Sequence, residues 1–112
     1  MLPINEILDG DDVYYIPIPL TGKVVKAFGC VNEQALDAQT TLTLTDGTNT
    51  IGVITLPNTS AEGTVVEIVF DGTTKGKVEL GPTKPLVATL AGGATGVEIA
   101  LGMIIDIYHA DN

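Results

Sequence analysis

The chain has no arginine and no tryptophan, and it contains one cysteine, one histidine and one serine. Cys30 therefore has no partner for an intrachain disulfide, and its apolar neighbours predict a small buried side chain. His109 is alone, so no set of zinc ligands is visible. Ser60 and His109 also lack the sequence surroundings of a catalytic serine and its base. The sequence therefore predicts a protein that is not an enzyme.

The sequence has few positively charged residues: five lysines stand against fourteen acidic residues, which gives a formal net charge of −9. Nucleic-acid binding needs a basic surface that neutralises phosphates, so we predict no nucleic-acid partner. Anionic membrane surfaces are disfavoured for the same reason, and no apolar run approaches the roughly 18 residues of a membrane span. The acidity predicts either simple solubility or a partner with a basic surface.

The acidic stretch Asp9–Asp12 does not have the pattern of a calcium-binding loop. Such a loop alternates its oxygen ligands and ends on a bidentate glutamate at a fixed distance, which this stretch lacks. An acidic turn before a strand explains it, and we expect no metal and no cofactor. The first residues also lack the basic and apolar regions of a signal peptide, which predicts a soluble protein that is made and kept in a cytoplasm or is assembled into a larger structure there.

The most regular pattern is TTLTLTDGTNTIGVITL, which covers residues 40–56. Side chains of a strand alternate between two faces, so Leu42 and Leu44 are predicted to be buried while threonines cover the other face. The pair Asp46-Gly47 separates two alternating runs, and glycine accepts a positive φ without a steric clash. The segment therefore predicts a β-hairpin with one buried face and one threonine-covered face.

The same alternation predicts the face of the strand on which individual residues lie. In the second run of the hairpin, Ile51, Val53 and Leu56 are expected on the apolar face, with Gly52 at a bulge or a thin spot. In the run KVVKAFGCV, Val24 and Val25 are expected to face opposite ways, and Phe28 to point inward.

Strand patterns recur at short intervals between glycine, proline and aspartate turn signals. Besides the hairpin they cover residues 13–19, 23–31, 64–70, 77–80, 85–90 and 97–108. A second Asp-Gly pair, at residue 71, predicts a hairpin that joins 64–70 to 77–80. Residues 3–10 and 32–39 are compatible with short helical turns. The sequence predicts an all-β, single-domain antiparallel β-sandwich of about eight short strands, jelly-roll-like or immunoglobulin-like.

We expect residues 1–12 to form an N-terminal arm and residues 13–112 to form the sandwich. The arm carries an apolar set ahead of the domain, and Tyr14 and Tyr15 must point to opposite faces of a strand that Pro17 and Pro19 place at a sheet edge. The arm either lies along a partner or folds back over one end of its own sandwich. The candidate partner-binding residues are Leu2, Pro3, Ile4, Ile7, Leu8, Tyr14 and Tyr15.

The order of these segments resembles the small capsid decoration proteins of tailed bacteriophages, also called auxiliary capsid or head-fibre proteins. IPIPLTGKVVKAF and LTLTDGTNTIGVITL carry the resemblance, which spans Tyr14 to Ile107. It implies a β-sandwich on the exterior of the capsid, assembled in the bacterial cytoplasm, that binds the major capsid protein as a homotrimer and stabilises the shell. The resemblance contributes no site residues, because both segments consist of structural residues.

Two other functions remain open at this stage. A surface-displayed module that binds glycans or a host would be favoured by an exposed aromatic cluster near Tyr14 or Tyr108 beside an acidic rim. A β-domain of a phage tail or baseplate would share the same composition and fold.

Overall fold

The computed structural model describes residues 1–32, 35–74, 76–92 and 97–107. Over these ranges the chain forms nine strands and no helix. The strands are β1 (Leu2–Asp9), β2 (Asp12–Ile16), β3 (Gly22–Val31), β4 (Thr40–Thr45), β5 (Thr50–Leu56), β6 (Val65–Glu67), β7 (Val69–Phe70), β8 (Leu86–Ala91) and β9 (Glu98–Ile107). They build two antiparallel sheets, which confirms the predicted all-β sandwich. His109, Tyr108 and part of the expected turn at 32–39 lie outside the described residues.

The first sheet has the strand order β1-β9-β3-β6, and the second has the order β2-β8-β4-β5-β7. Apart from β4–β5 and β7–β8, each connection passes from one sheet to the other. Strand β2 lies at the edge of the second sheet and ends at Ile16, directly before Pro17. This confirms the predicted edge position, because proline has no N–H for a neighbouring strand.

The core between the sheets is aliphatic and follows from the alternation of each strand. Strand β9 buries every second residue, while β4, β5 and β8 supply the facing side. Burial of each large aliphatic side chain is worth about 1.5–3 kcal/mol. The largest fully buried side chains are Leu8, Ile18, Leu42, Leu44, Ile54, Leu56, Leu80, Leu86, Leu90, Ile99, Leu101 and Ile105.

The β4–β5 hairpin is present at Asp46-Gly47, with Gly47 at φ +98°. Its register shifts by one residue, because Thr45 pairs with Thr50 whereas Leu44 pairs with Gly52. The shift confirms the predicted bulge and reverses the alternation beyond it. The placement of Val53 on the apolar face was therefore wrong: Val53 is half-exposed on the threonine side, and Ile54 is buried instead.

A similar shift in β3 corrects two further placements. Val24 is buried and Val25 is exposed, as expected, but the pairing with β9 slips by one residue between Val24 and Lys26. Ala27 and Gly29 then occupy the inner face, so Phe28 and Cys30 face outward and are only half-buried. The prediction of an inward Phe28 and a buried Cys30 was wrong, because a bulge changes which residues share a face.

The second Asp-Gly pair does not form a hairpin. Residues 64–70 divide between the sheets, since β6 pairs with β3 in the first sheet and β7 pairs with β5 in the second. Ile68 lies at the crossing, buried, with its N–H donated to the carbonyl of Ala27 at 2.9 Å. The Asp71 carboxylate accepts the backbone N–H of Thr73 at 2.9 Å and so closes a local turn.

The expected N-terminal arm is instead a strand of the sandwich. Strand β1 pairs with β9 along its whole length, from Leu2 opposite Ile105 to Asp9 opposite Glu98. The helical turn considered for residues 3–10 is likewise replaced by this strand. No helix in the described part of the chain is long and apolar enough to cross a membrane.

Candidate protein-binding surfaces

The outer side of the second sheet is a continuous surface of uncharged side chains. One row of paired residues crosses all five strands, in the order Val13, Thr89, Thr43, Val53 and Val69. Shorter rows flank it on either side. We define the threonine–valine face as the outward-facing residues of this sheet: Val13, Tyr15, Thr41, Thr43, Thr45, Val53, Thr55, Val69, Val87, Thr89 and Ala91.

Simple alternation builds the centre of this face. Leu42 and Leu44 are fully buried, whereas Thr41, Thr43 and Thr45 are half-exposed on the other side of the same strand. This confirms the predicted division of β4 into a leucine side and a threonine side. Thr40, at the start of the strand, is the exception, since it is completely buried.

The absence of charge from the threonine–valine face contrasts with the rest of this acidic chain. The first sheet has charged residues at its outward positions, namely Asp9, Lys23, Lys26, Glu67, Glu98 and Asp106. The threonine–valine face has no charged side chain, and two of its apolar side chains are largely exposed to solvent: Tyr15 is 69% exposed and Val69 is 75% exposed. An exposed apolar surface without charge is typical of a site that another macromolecule covers.

The first sheet carries an open depression of about 410 Å³ on its outer side. Ala100 and Gly102 of β9 form its floor, between Ile7 on β1 and Phe28 and Cys30 on β3. Glu6 is the one carboxylate among the lining residues. One carboxylate beside small and apolar side chains provides neither a paired acid and base nor a metal-ligand set.

The structure divides the predicted contact residues among three environments. Leu8 is fully buried, and Leu2 and Ile4 are partly buried against the core. Ile7 and Pro3 face outward from β1, on the outer side of the first sheet. Tyr14 and Tyr15 point to opposite sides of β2, as predicted, and Tyr15 belongs to the threonine–valine face. These seven residues therefore do not form one surface.

Tyr14 connects the end of β1 to β2. Its hydroxyl lies 2.6 Å from the carbonyl oxygens of both Asp9 and Gly10, to which it donates. Burial raises the pKa of the Tyr14 phenol above its usual value, and the nearby carboxylates of Asp12 and Asp9 raise it further. The Tyr14 hydroxyl thus remains protonated and holds the β1–β2 corner.

Asp46 organises the hairpin turn at the border of the threonine–valine face. Its carboxylate accepts the backbone N–H groups of Asn49 at 2.6 Å and Thr48 at 2.8 Å. Burial alone would raise the pKa of Asp46, but these hydrogen bonds and the positive charge of Lys84 outweigh it and hold the pKa below its usual value of 3.8. The ionised carboxylate is therefore part of the folded turn.

The described residues bring together no group of three histidine, cysteine, aspartate or glutamate side chains that could hold a metal ion. The Ser60 hydroxyl donates to the carbonyl of Pro57 at 2.6 Å, which places it in a local turn. The possible base His109 lies outside the described residues. The candidate sites of the described part of the chain are therefore the surfaces of its two sheets.

No protein-family model, no curated protein and no solved structure matches this chain. The class of protein rests on the fold, an antiparallel β-sandwich, and the functional argument rests on its surfaces.

The extent of the threonine–valine face was not visible in the sequence. Alternation showed the threonines of β4, but the contributions of β2, β7 and β8 depend on which strands become neighbours. Val53 joined the face through the bulge in β5. A signal was nevertheless present, because four of the five strands have no charged residue at any position.

Proposed function

We propose that this chain is a structural virion protein that binds the exterior of an assembled phage capsid and stabilises it, as a decoration or cement protein. Its partner is the major capsid protein, and it acts as a homotrimer that adds to the shell in the bacterial cytoplasm. The threonine–valine face is the observation that supports this proposal most directly. The sequence resemblance supplies the identity of the shell as the partner.

The chemistry of the face suits a permanent contact with another protein. Removal of a charged group from water costs several kcal/mol unless it is paired, and no outward position of this sheet carries such a group. Threonine hydroxyls can donate and accept hydrogen bonds across the contact, directly or through water. The face can therefore be covered at little electrostatic cost, despite the net charge of −9.

The size of the face supports binding by several linked copies. Strands lie about 4.8 Å apart and advance about 3.3 Å per residue, so the face covers roughly 300–400 Å². A stable pairwise interface buries about 800 Å² on each partner. One copy alone would thus bind weakly, whereas a trimer on a symmetric shell gains affinity because its second and third contacts become intramolecular. Such binding favours the assembled shell by mass action.

The test compares two variants that carry the same substitution at different places. Thr43→Glu puts a carboxylate in the middle of the threonine–valine face, and Thr83→Glu puts one in an exposed turn away from it. Each variant is mixed with undecorated, expanded phage heads and sedimented. We expect Thr83→Glu to bind like the unmodified chain and Thr43→Glu to lose roughly a hundredfold or more in affinity, since the buried carboxylate has no partner.

Equal binding by both variants would refute a role for this face, and no binding by the unmodified chain would refute the proposal itself. Light scattering of the free chain tests the trimer separately.

The two alternatives make different predictions in the same experiment. A tail or baseplate domain would sediment with tail complexes and leave heads bare. A glycan-binding module would need a strip of aromatic rings, and over the described ranges Tyr15 is the one exposed aromatic side chain. No observation on the described surface favours that alternative.

A further inference from the structure

Strand β1 is the longest edge strand among the described residues, and part of its backbone has no neighbouring strand. The Gly10 N–H is donated to the Val97 carbonyl at 2.9 Å, which identifies Gly10 and Val97 as a hydrogen-bonded pair at the end of the β1–β9 ladder. Antiparallel partners exchange hydrogen bonds at every second residue, so the even-numbered residues of β1 bond to β9. The backbone N–H and C=O groups of Asn5 and Ile7 therefore point away from the sheet.

The other three edge strands of the described residues are shorter than β1. Strands β6 and β7 contain three and two residues, and β2 is followed by Pro17. Short length and proline are the usual means by which proteins block the addition of a further strand. In β1, Pro3 blocks one end, but no strand of the described residues lies beside the backbone from Asn5 to Ile7 on the side away from β9.

The side chains of β1 leave apolar area for an added strand to cover. Leu2 and Ile4 face the core but are only half-buried, whereas Leu8 on the same side is fully buried. On the outer side, Ile7 is 56% exposed. An additional strand beside β1 would place its alternate side chains next to Ile4 on one face and next to Ile7 on the other.

The charges along this edge are negative at one end. Glu6 and Asp9 are exposed on β1, and Glu98 of β9 pairs with Asp9. Two further acids follow: Asp11 in the turn and Asp12 at the start of β2. The lysines of the first sheet, Lys23 and Lys26, lie two strands away on β3, near the other end of β1. An added strand would therefore be attracted if it carried basic side chains opposite Glu6 and Asp9.

A second copy of the chain fits this edge poorly. A symmetric antiparallel pairing centred on Asn5 sets Ile7 against Pro3, which has no N–H to donate. A pairing centred on Glu6 sets two identical carboxylates directly opposite each other, which is destabilising.

We infer that the free edge of β1 binds an extended, basic segment of a partner polypeptide, which joins the first sheet as an additional antiparallel strand. Backbone hydrogen bonds at Asn5 and Ile7 supply the affinity, and Glu6 and Asp9 select lysine or arginine. The site is separate from the threonine–valine face, so the inference does not rest on capsid binding.

The test uses the full chain labelled with ¹⁵N and the capped hexapeptide Lys-Thr-Val-Lys-Thr-Val, followed by nuclear magnetic resonance. In antiparallel register its two lysines lie opposite Asp9 and Glu6, and its valines lie opposite Ile7 and Ile4. We expect shift changes concentrated in residues 4–9 and in their partners on β9, with affinity that decreases as salt is added. The control peptide, with glutamate in place of lysine, should not bind.

Two variants test the roles of backbone and charge. Asn5→Pro removes one outward N–H without touching the ladder to β9, and we expect affinity roughly three- to tenfold weaker. Glu6→Lys should weaken binding roughly tenfold or more, whereas Glu62→Lys, in an exposed loop, should not. Amide exchange in β9 verifies that each variant keeps its fold.

Three results would overturn the inference. They are shift changes away from β1, equal affinity of Glu6→Lys and Glu62→Lys, and dimerisation of the free chain through β1.

Discussion

Gly52 is a position where a single added methyl group should disturb the pairing of β5 with β7 in the second sheet. A Cβ atom at Gly52 would lie 2.5 Å from the carbonyl oxygen of Val69 and 2.8 Å from two carbons of the Ile68 side chain. The oxygen belongs to the backbone of β7, which pairs with β5 only through Gly52–Phe70 and Val53–Val69. Gly52→Ala therefore forces β7 away from the sheet.

The size of the effect follows from these contacts. Overpacking of a well-packed interior costs about 1–3 kcal/mol. In a domain of about 100 residues each kcal/mol lowers the melting temperature by about 4–8 °C, so we expect Gly52→Ala to melt roughly 5–20 °C below the unmodified chain. Amide exchange should also become faster at Phe70, and the Val69 side chain should move on the threonine–valine face.

Gly72→Ala is the matched control, because a Cβ atom at that position meets nothing within 4 Å. Its melting temperature should stay unchanged or rise slightly, since alanine restricts the unfolded chain more than glycine does. Differential scanning calorimetry gives the melting temperatures of the two variants for comparison. Equal melting temperatures for Gly52→Ala and Gly72→Ala would refute the close packing of β5 against β7.

Three further predictions concern the core, the hairpin turn and the β1–β2 corner. Leu44→Ala, at a fully buried position, should lower the free energy of unfolding by about 2.7–5 kcal/mol in denaturant titrations, whereas Thr43→Ala on the exposed side should cost far less. The pKa of Asp46 is lowered in the folded state, so the ionised carboxylate stabilises the fold above pH 3.8, and this stabilisation is lost as the pH falls through the folded pKa. An asparagine side chain at this position cannot be protonated in this range, so the free energy of unfolding of Asp46→Asn should fall less on acidification than that of the unmodified chain. Tyr14→Phe removes the hydroxyl that donates to Asp9 and Gly10, and it should cost about 0.5–1.5 kcal/mol in the same titrations and speed amide exchange at the β1–β2 corner.

Local alternation was sufficient to predict the class of fold and the division of β4 into a buried and an exposed side. Leu42, Leu44 and the Asp46-Gly47 turn lie where the pattern placed them, because each depends only on neighbours in the sequence. The edge position of β2 was predictable for a similar reason, since Pro17 cannot donate a hydrogen bond wherever it lies.

Errors occurred where one extra residue or a distant partner decides the outcome. Bulges in β3 and β5 reversed the predicted facing of Phe28 and Val53, and a bulge leaves little trace in the alternation. Residues 64–70 divide between two sheets because their partners lie in different sheets: Ile68 donates its N–H to Ala27 of the first sheet, and Phe70 pairs with Gly52 of the second.

The threonine–valine face and the free edge of β1 both depend on strand order, which short-range patterns do not specify. The segment expected as an arm is an edge strand, because all of β1 pairs with β9. Its exposed residue Ile7 was among the predicted contacts, although the open backbone beside it could be recognised only from the topology.

The orientation of the bound chain on a capsid shows directly whether the threonine–valine face is the contact surface. Purified protein is added to expanded, undecorated heads, and the complex is imaged by electron cryomicroscopy at a resolution that separates the two sheets. We predict ordered density at symmetric sites, with the threonine–valine face against the shell. Bare heads would refute capsid binding, and bound copies whose threonine–valine face is turned to solvent would refute the role of this face.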